Sequence, residues 1–256
     1  MNNIKENLIE GKWVIELLVP FVKKEIVKRL ALEDESLENY SLTYLAHKYY
    51  QPNSNLILKT YKPSKITFLN QTVDDCYVNH LLQNLLKNNS LSISPKVSNT
   101  IHQWTENFYN SNNKDLGKFL EYIVLIENAS FNGASHPHFL GSIFMSVSDN
   151  TTIQDFHLSL VHECAHQELF LLNYIDRLIN KTHENHLLYA PFQNKLRPPI
   201  GRLHSLHALY RMIQVEAKEE LLTKFKQNIE AVQLDELTEF GKFLLNSVYT
   251  SYEKNT

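Results

Sequence analysis

The chain has 256 residues, 43% of them hydrophobic and 21% charged, with a formal net charge of −3. That balance excludes a disordered or collagen-like chain and gives no basic field to hold nucleic acid. The length is ample for one large hydrophobic core, and small molecules or peptides are the partners to expect.

From the N-terminus, MNNIKENLIEGKW carries acidic residues and no apolar run, so no signal peptide is expected. The apolar stretch from Trp13 to Val22 is interrupted by Glu16 and is too short to span a bilayer. A membrane partner is therefore not expected. Lys5 to Leu32 repeats Leu8, Ile15, Leu18, Phe21, Val22 and Ile26 at helical spacing, with Pro20 as the expected kink or break. Ser41 to Tyr50 reads as a short helix. Asn55–Tyr61 and Lys65–Leu69 flank Lys62-Pro63-Ser64 as a hairpin, and Val73–Leu86 and Lys96–Tyr109 read as amphipathic helices.

The character then changes. Tyr122-Ile-Val-Leu-Ile is β-rich and apolar, Asn132 to Pro137 is a turn or loop, and Leu140 to Val147 is a second strand. A long helix is expected from about Thr152 to Asn180, since no glycine or proline falls inside it. A proline-bearing loop with Pro191, Pro198 and Pro199 precedes helices over about Gly201–Phe225 and Leu234–Tyr252. No linker or internal repeat is visible. The expected class is α+β: a single domain over 1–256, mostly helical with a small sheet. Residues 1–120 form a helical N-terminal part, and 121–256 carry the chemistry.

Histidine marks where that chemistry lies. Nine of the 12 histidines fall between His136 and His207, against the roughly three or four that even scattering would place there, a density suited to metal or proton chemistry. Within this stretch, His162-Glu163-Cys164-Ala165-His166 sits inside the long helix. Residues four apart share a helix face, so His162 and His166 can offer two imidazoles to one ion. Glu163 reaches the edge of that site, as a catalytic carboxylate would. A strand just before such a helix is the layout of zincin-type sites, in which the metal helix lies next to an edge strand. The two cysteines, Cys76 and Cys164, are expected to be free thiols, which favours a reducing, cytoplasmic setting.

A third ligand is needed. The residues after His166, Gln167-Glu168-Leu169-Phe170-Leu171-Leu172-Asn173, lack the Gly and His of a metzincin. Glu216 is the candidate for a glutamate-type third ligand. Against it stand His204, after the proline-rich turn, and His207 one turn later on the same face, with Arg211 extending the stripe. His204 is the preferred ligand and His207 the reserve.

Three blocks carry a family resemblance. They are Ser135-His136-Pro137 with Leu140-Gly141-Ser142-Ile143, Leu160 to Gln167 around the paired histidines, and Tyr189-Ala190-Pro191 with Arg197-Pro198-Pro199-Ile200-Gly201-Arg202-Leu203-His204. Over about residues 130–212 the chain resembles the HExxH motif-containing peptide-modification proteins of ribosomally synthesised peptide pathways. Some of these are iron(II)/2-oxoglutarate-dependent β-hydroxylases of precursor peptides. The resemblance implies Fe(II) on His162, His166 and His204, with 2-oxoglutarate and a precursor peptide as further ligands. Three histidines leave such a site one negative charge short of the common two-histidine, one-carboxylate triad. The distal carboxylate of 2-oxoglutarate calls for a guanidinium fork: Arg197 first, then Arg202 and Arg211, with His136 as a further cosubstrate contact. In the alternative, a zinc peptidase, Glu163 is the general base for a metal-bound water, and the strand Gly141–Val147 pairs with extended substrate. A third class, a non-catalytic protein that binds a peptide or an enzyme through the same helix, is weakened by the completeness of the set.

Overall fold

The computed structural model describes residues 1–32, 40–51, 67–69, 95–111, 119–127 and 131–255. The expected hairpin around Pro63, except for Thr67–Leu69, the expected helix Val73–Leu86 and Cys76 lie outside these residues. The described part is mostly helical with a small mixed sheet, the coarse α+β class that the sequence implies. Among the described residues, no helix is long and apolar enough to cross a membrane.

The chain forms two compact units that do not follow chain order: Val19–Glu163 is one, and Met1–Leu18 with Cys164–Thr256 is the other. The Val19–Glu163 unit contains the sheet. Its strands are β1 (Thr67–Leu69), β2 (Tyr122–Glu127), β3 (Gly133–Ala134) and β4 (Ser142–Val147), in the order β1-β2-β4-β3. β2 is parallel to both β1 and β4, while β3 runs antiparallel along β4. Strands flanked on both sides are apolar along their length, and Ile123 to Ile126 and Ile143 to Met145 are all fully buried. The expected strand β4 is therefore interior rather than an edge available to substrate. Among the described residues the outer strands are β1 and β3, the latter inside the segment Asn132–Pro137 that reads as a loop. Two residues are too few to show an alternating pattern.

Also in this unit are α3 (Leu42–Tyr50) and α4 (Pro95–Ser111). Ser41 caps α3 by accepting from Tyr44 N–H at 3.1 Å. The buried carboxylate of Glu121 also lies at this helix start. It accepts from Ser41 Oγ at 2.6 Å, Leu42 N at 2.7 Å and Thr43 N at 3.0 Å, an anion at the positive end of a helix.

The other unit holds α1 (Asn2–Ile9), the paired strands β5 (Leu188–Ala190) and β6 (Lys195–Arg197), α6 (Pro199–Val215), α7 (Glu219–Ile229) and α8 (Glu239–Asn255). Its core gathers Leu8, Leu172, Leu203, Leu206, Leu209, Phe225 and Leu244. The N-terminal helical stretch breaks at Gly11, not at the expected Pro20, which lies inside α2 (Ile15–Arg29). Gly11 takes a φ of +71°, open to glycine at little cost. The next backbone groups leave helical geometry for long-range partners, with the Gly11 and Lys12 carbonyls accepting from Arg211 and Val14 N–H donating to Glu168.

Helix α5 (Ile153–Ile175) passes from one unit into the other at Glu163 and Cys164. Thr152 starts it by accepting from Asp155 N–H at 3.1 Å, and its own hydroxyl donates back to the Asp155 carboxylate at 2.6 Å. It stops short of the expected Asn180. Asn173 Oδ1 takes the Leu178 N–H at 3.0 Å and the Leu178 carbonyl accepts from Thr238 N, so residues 176–180 join a bridge to Leu237 instead. The expected helix 201–225 is divided at Glu216, whose extended backbone (φ −150°, ψ 105°) separates α6 from α7.

Candidate metal centre

The middle of α5 is apolar on most sides, and Leu160, Val161, Cys164, Ala165, Leu169 and Leu172 are buried. A helix enclosed in this way holds its polar side chains in fixed positions. His162, Glu163 and His166 each place one ligand atom within 4.8 Å of the other two, a group able to hold a metal ion. Helical spacing alone brings them together. Burial pushes the His162 imidazole down to about 4, so it is neutral at pH 7 and keeps the lone pair that a metal ligand needs.

Glu163 is 3% exposed, and its Oε1 lies 4.0 Å from His162 Nε2. Burial pushes its carboxyl up to about 8, weakly opposed by the neighbouring Ser135 hydroxyl. Ser135 is the hydrogen-bonding neighbour of the Glu163 carboxyl, and neither Glu163 Oε2 nor Ser135 Oγ has another hydrogen-bond partner among the described residues. Two ligands bonded to one ion at ~2.1 Å lie ~3.0 Å apart when cis and ~4.2 Å apart when opposite. The 4.0 Å spacing therefore suits Glu163 as a neighbour of the site better than as a ligand beside His162.

His204 lies on α6, which Pro199 initiates at its first turn. Its Nδ1 is 2.9 Å from His166 Nδ1, although it is not in the His162–Glu163–His166 group. Two residues further along α5, Glu168 makes a second rung between the same helices. Its carboxylate accepts from His207 Nε2 at 2.9 Å, from Arg211 Nε at 2.9 Å and Nη2 at 3.0 Å, and from Val14 N at 2.8 Å. Burial alone would raise this carboxyl, but the Arg211 guanidinium, His207 and the Val14 amide together hold it below the usual carboxylate range. Burial also pushes His207 down, only partly offset by Glu168.

The remaining candidates part company. Arg211 spends its donors on Glu168, Gly11 O, Lys12 O and Gln214 and stacks 4.3 Å over Trp13. Arg202 is equally buried, bound to Glu236 at 2.6 Å and to Ala231 O at 3.0 Å. Neither is presented to a cosubstrate as the sequence suggests: an arginine in a buried stripe has to find an internal carboxylate. His207 is likewise committed to Glu168. Glu216 lies past the end of α6, paired with Lys218 at 3.2 Å, and is not in the metal-competent group. His136 caps the turn Pro137–Phe139, its Nδ1 accepting from His138 N at 3.2 Å, with its ring against that of His138.

Arg197 differs. It is half-buried on β6 and its stem passes beside Gly201; its Nε, like that of Arg202, is buried with no hydrogen-bond partner, but among the described residues no carboxylate engages its guanidinium as Glu236 engages that of Arg202.

The sequence reading missed two participants. Glu168 had a signal, a lone carboxylate amid buried apolar residues of α5. Gly133, which lies against Glu163, had none. Comparison of the sequence with known protein families and with curated proteins finds no match to either.

Proposed function

We propose that this protein is a non-haem iron(II)/2-oxoglutarate-dependent hydroxylase of peptide side chains, with His162, His166 and His204 as metal ligands. The observation that carries the reading is the 2.9 Å approach of His204 Nδ1 to His166 Nδ1, on helices joined by the buried Glu168 rung. Two nitrogens on one ion are ~3.0 Å apart at the right angle of a six-coordinate site and ~3.4 Å apart in a tetrahedral one. The observed spacing suits the former, the geometry of an iron site with open positions. It is also that of an N–H···N hydrogen bond, which the two rings make with no ion between them.

Fe(II) with 2-oxoglutarate and O₂ supplies the oxidising power to place an oxygen atom on an unactivated carbon. The chain's own residues bind, orient and exclude water. His162, His166 and His204, as neutral imidazoles, would hold the cation without cancelling its charge and so leave it attractive to a dicarboxylate. Arg197 is the recognition group for the distal carboxylate, because among the described residues no carboxylate engages its guanidinium while Arg202 and Arg211 are committed to Glu236 and Glu168. Glu163 and Ser135 add two buried polar atoms beside His162.

Anaerobic loading with Fe(II), then addition of 2-oxoglutarate and O₂, should give succinate. With the cognate peptide it should also give a one-oxygen mass gain. Succinate production that persists in His162→Ala, or no metal uptake at all, would end this reading.

A zinc peptidase is the second reading, favoured by Glu163 Oε1 standing 4.0 Å from His162 Nε2, within reach of a metal-bound water that it would deprotonate. Glu163→Gln separates the two. It abolishes zinc-dependent peptide cleavage but leaves succinate formation measurable.

A further inference from the structure

Strand β3 runs antiparallel to β4, with Gly133 opposite Met145 and Ala134 opposite Phe144, and it closes the sheet's edge over the Glu163 side chain. A Cβ at Gly133 would lie 2.7 Å from Glu163 Cγ, 2.8 Å from Oε1 and 3.0 Å from Cδ. Non-bonded carbon atoms settle at about 3.5–4.0 Å, so those contacts are strongly repulsive. Backbone conformation does not call for glycine here, because the positive-φ glycines are Gly11 and Gly141. Space does. Glu163 is only 3% exposed, so a methyl group at 133 would move the carboxyl within the interior rather than push it into water. Ser135 stands beside the Glu163 carboxyl here, and neither Glu163 Oε2 nor Ser135 Oγ has another hydrogen-bond partner among the described residues.

We infer that Gly133 is a positioning residue of the metal centre: by carrying no side chain it lets the edge strand close onto Glu163, fixing where the carboxyl stands beside His162 and His166. The inference rests on the metal-centre reading. It is independent of whether the ion is iron or zinc, since it concerns where the Glu163 carboxyl stands and not which reaction uses it. It also gives the two-residue edge strand a task in the site.

Cobalt(II) is a suitable probe, because its visible absorption reports the surroundings of the ion. The full chain is loaded with Co(II), and His162→Ala is expected to lose uptake. Gly133→Ala is expected to keep one Co(II) per chain with its absorption bands shifted. A metal-free thermal cycle reads the steric claim separately. Gly133→Ala should lower the melting temperature by roughly 5 °C alone, and by much less in a Glu163→Ala background. Failure of the wild-type chain to take up Co(II), with the thermal coupling intact, overturns the metal-centre reading and leaves the steric one. Additive melting shifts, or a Gly133→Ala spectrum superimposable on wild type, overturn the inference.

Discussion

Replacing Glu168 with Gln tests whether the buried rung beside the metal site holds the two histidine-bearing helices together. Glu168 is 0% exposed and its four contacts bind Arg211 twice, His207 once and the Val14 amide once. Glutamine keeps the shape and one acceptor oxygen, but it presents an NH₂ group to donors and leaves the Arg211 charge buried with no counter-ion. Breaking one partner of a buried pair costs about 3–5 kcal/mol, and the lower end suits an isosteric change. In a chain of this size each kcal/mol shifts the melting temperature by about 2–4 °C, so a fall of roughly 6–12 °C is expected at pH 7. Circular dichroism melts read this directly. The wild-type protein should also lose stability on acidification while the variant loses less. Glu168 is held below its usual value, so its contribution is complete above the unfolded carboxylate pKa and disappears as pH falls through the folded one. His207, also depressed, adds a loss that begins below about pH 6.5, where the unfolded chain takes a proton that the fold resists. The double variant Glu168→Leu with Arg211→Met should be more stable than Glu168→Leu alone, since it leaves no unpaired charge. A Glu168→Gln melt within about 2 °C of wild type would refute the assignment of this rung as a stabilising element.

Arg197→Met should weaken 2-oxoglutarate binding, measured by calorimetry on the Fe(II)-loaded protein, by 10-fold or more on the order of a charge-assisted fork contact, with an unchanged melting temperature. Arg202→Met should do the opposite, leaving cosubstrate affinity intact while stranding Glu236 and lowering stability by about 3 kcal/mol in urea titrations. Glu121→Gln, which removes the charge that caps α3 through Ser41, Leu42 and Thr43, should cost about 1–3 kcal/mol by the same measurement. Chelation of the bound metal should lower the melting temperature of wild type but not of His162→Ala, because an ion that binds only the folded state stabilises it.

The sequence determined what short-range physics can write. A helix start at Thr152 needs only Asp155 three residues on, and the absence of glycine and proline carries α5 past the motif. The 3.6-residue period then brings His162 and His166 to one face with Glu163 at their edge. The strands Tyr122–Ile126 and Ser142–Val147 were legible because buried parallel strands are apolar without interruption.

Tertiary structure decided everything that depends on a distant partner. Arg202 and Arg211 look as available in the sequence as Arg197, yet Glu236 and Glu168 claim two of the three. The break at Gly11 and the end of α5 at Ile175 follow from backbone groups captured by residues 60 to 200 positions away. The edge strand at Gly133 has two residues and no periodicity to read. Local pattern fixes which way a side chain points along its own element. The choice of partner is made when the chain folds back, where a buried charge or an unpaired backbone group costs more than any local preference can supply.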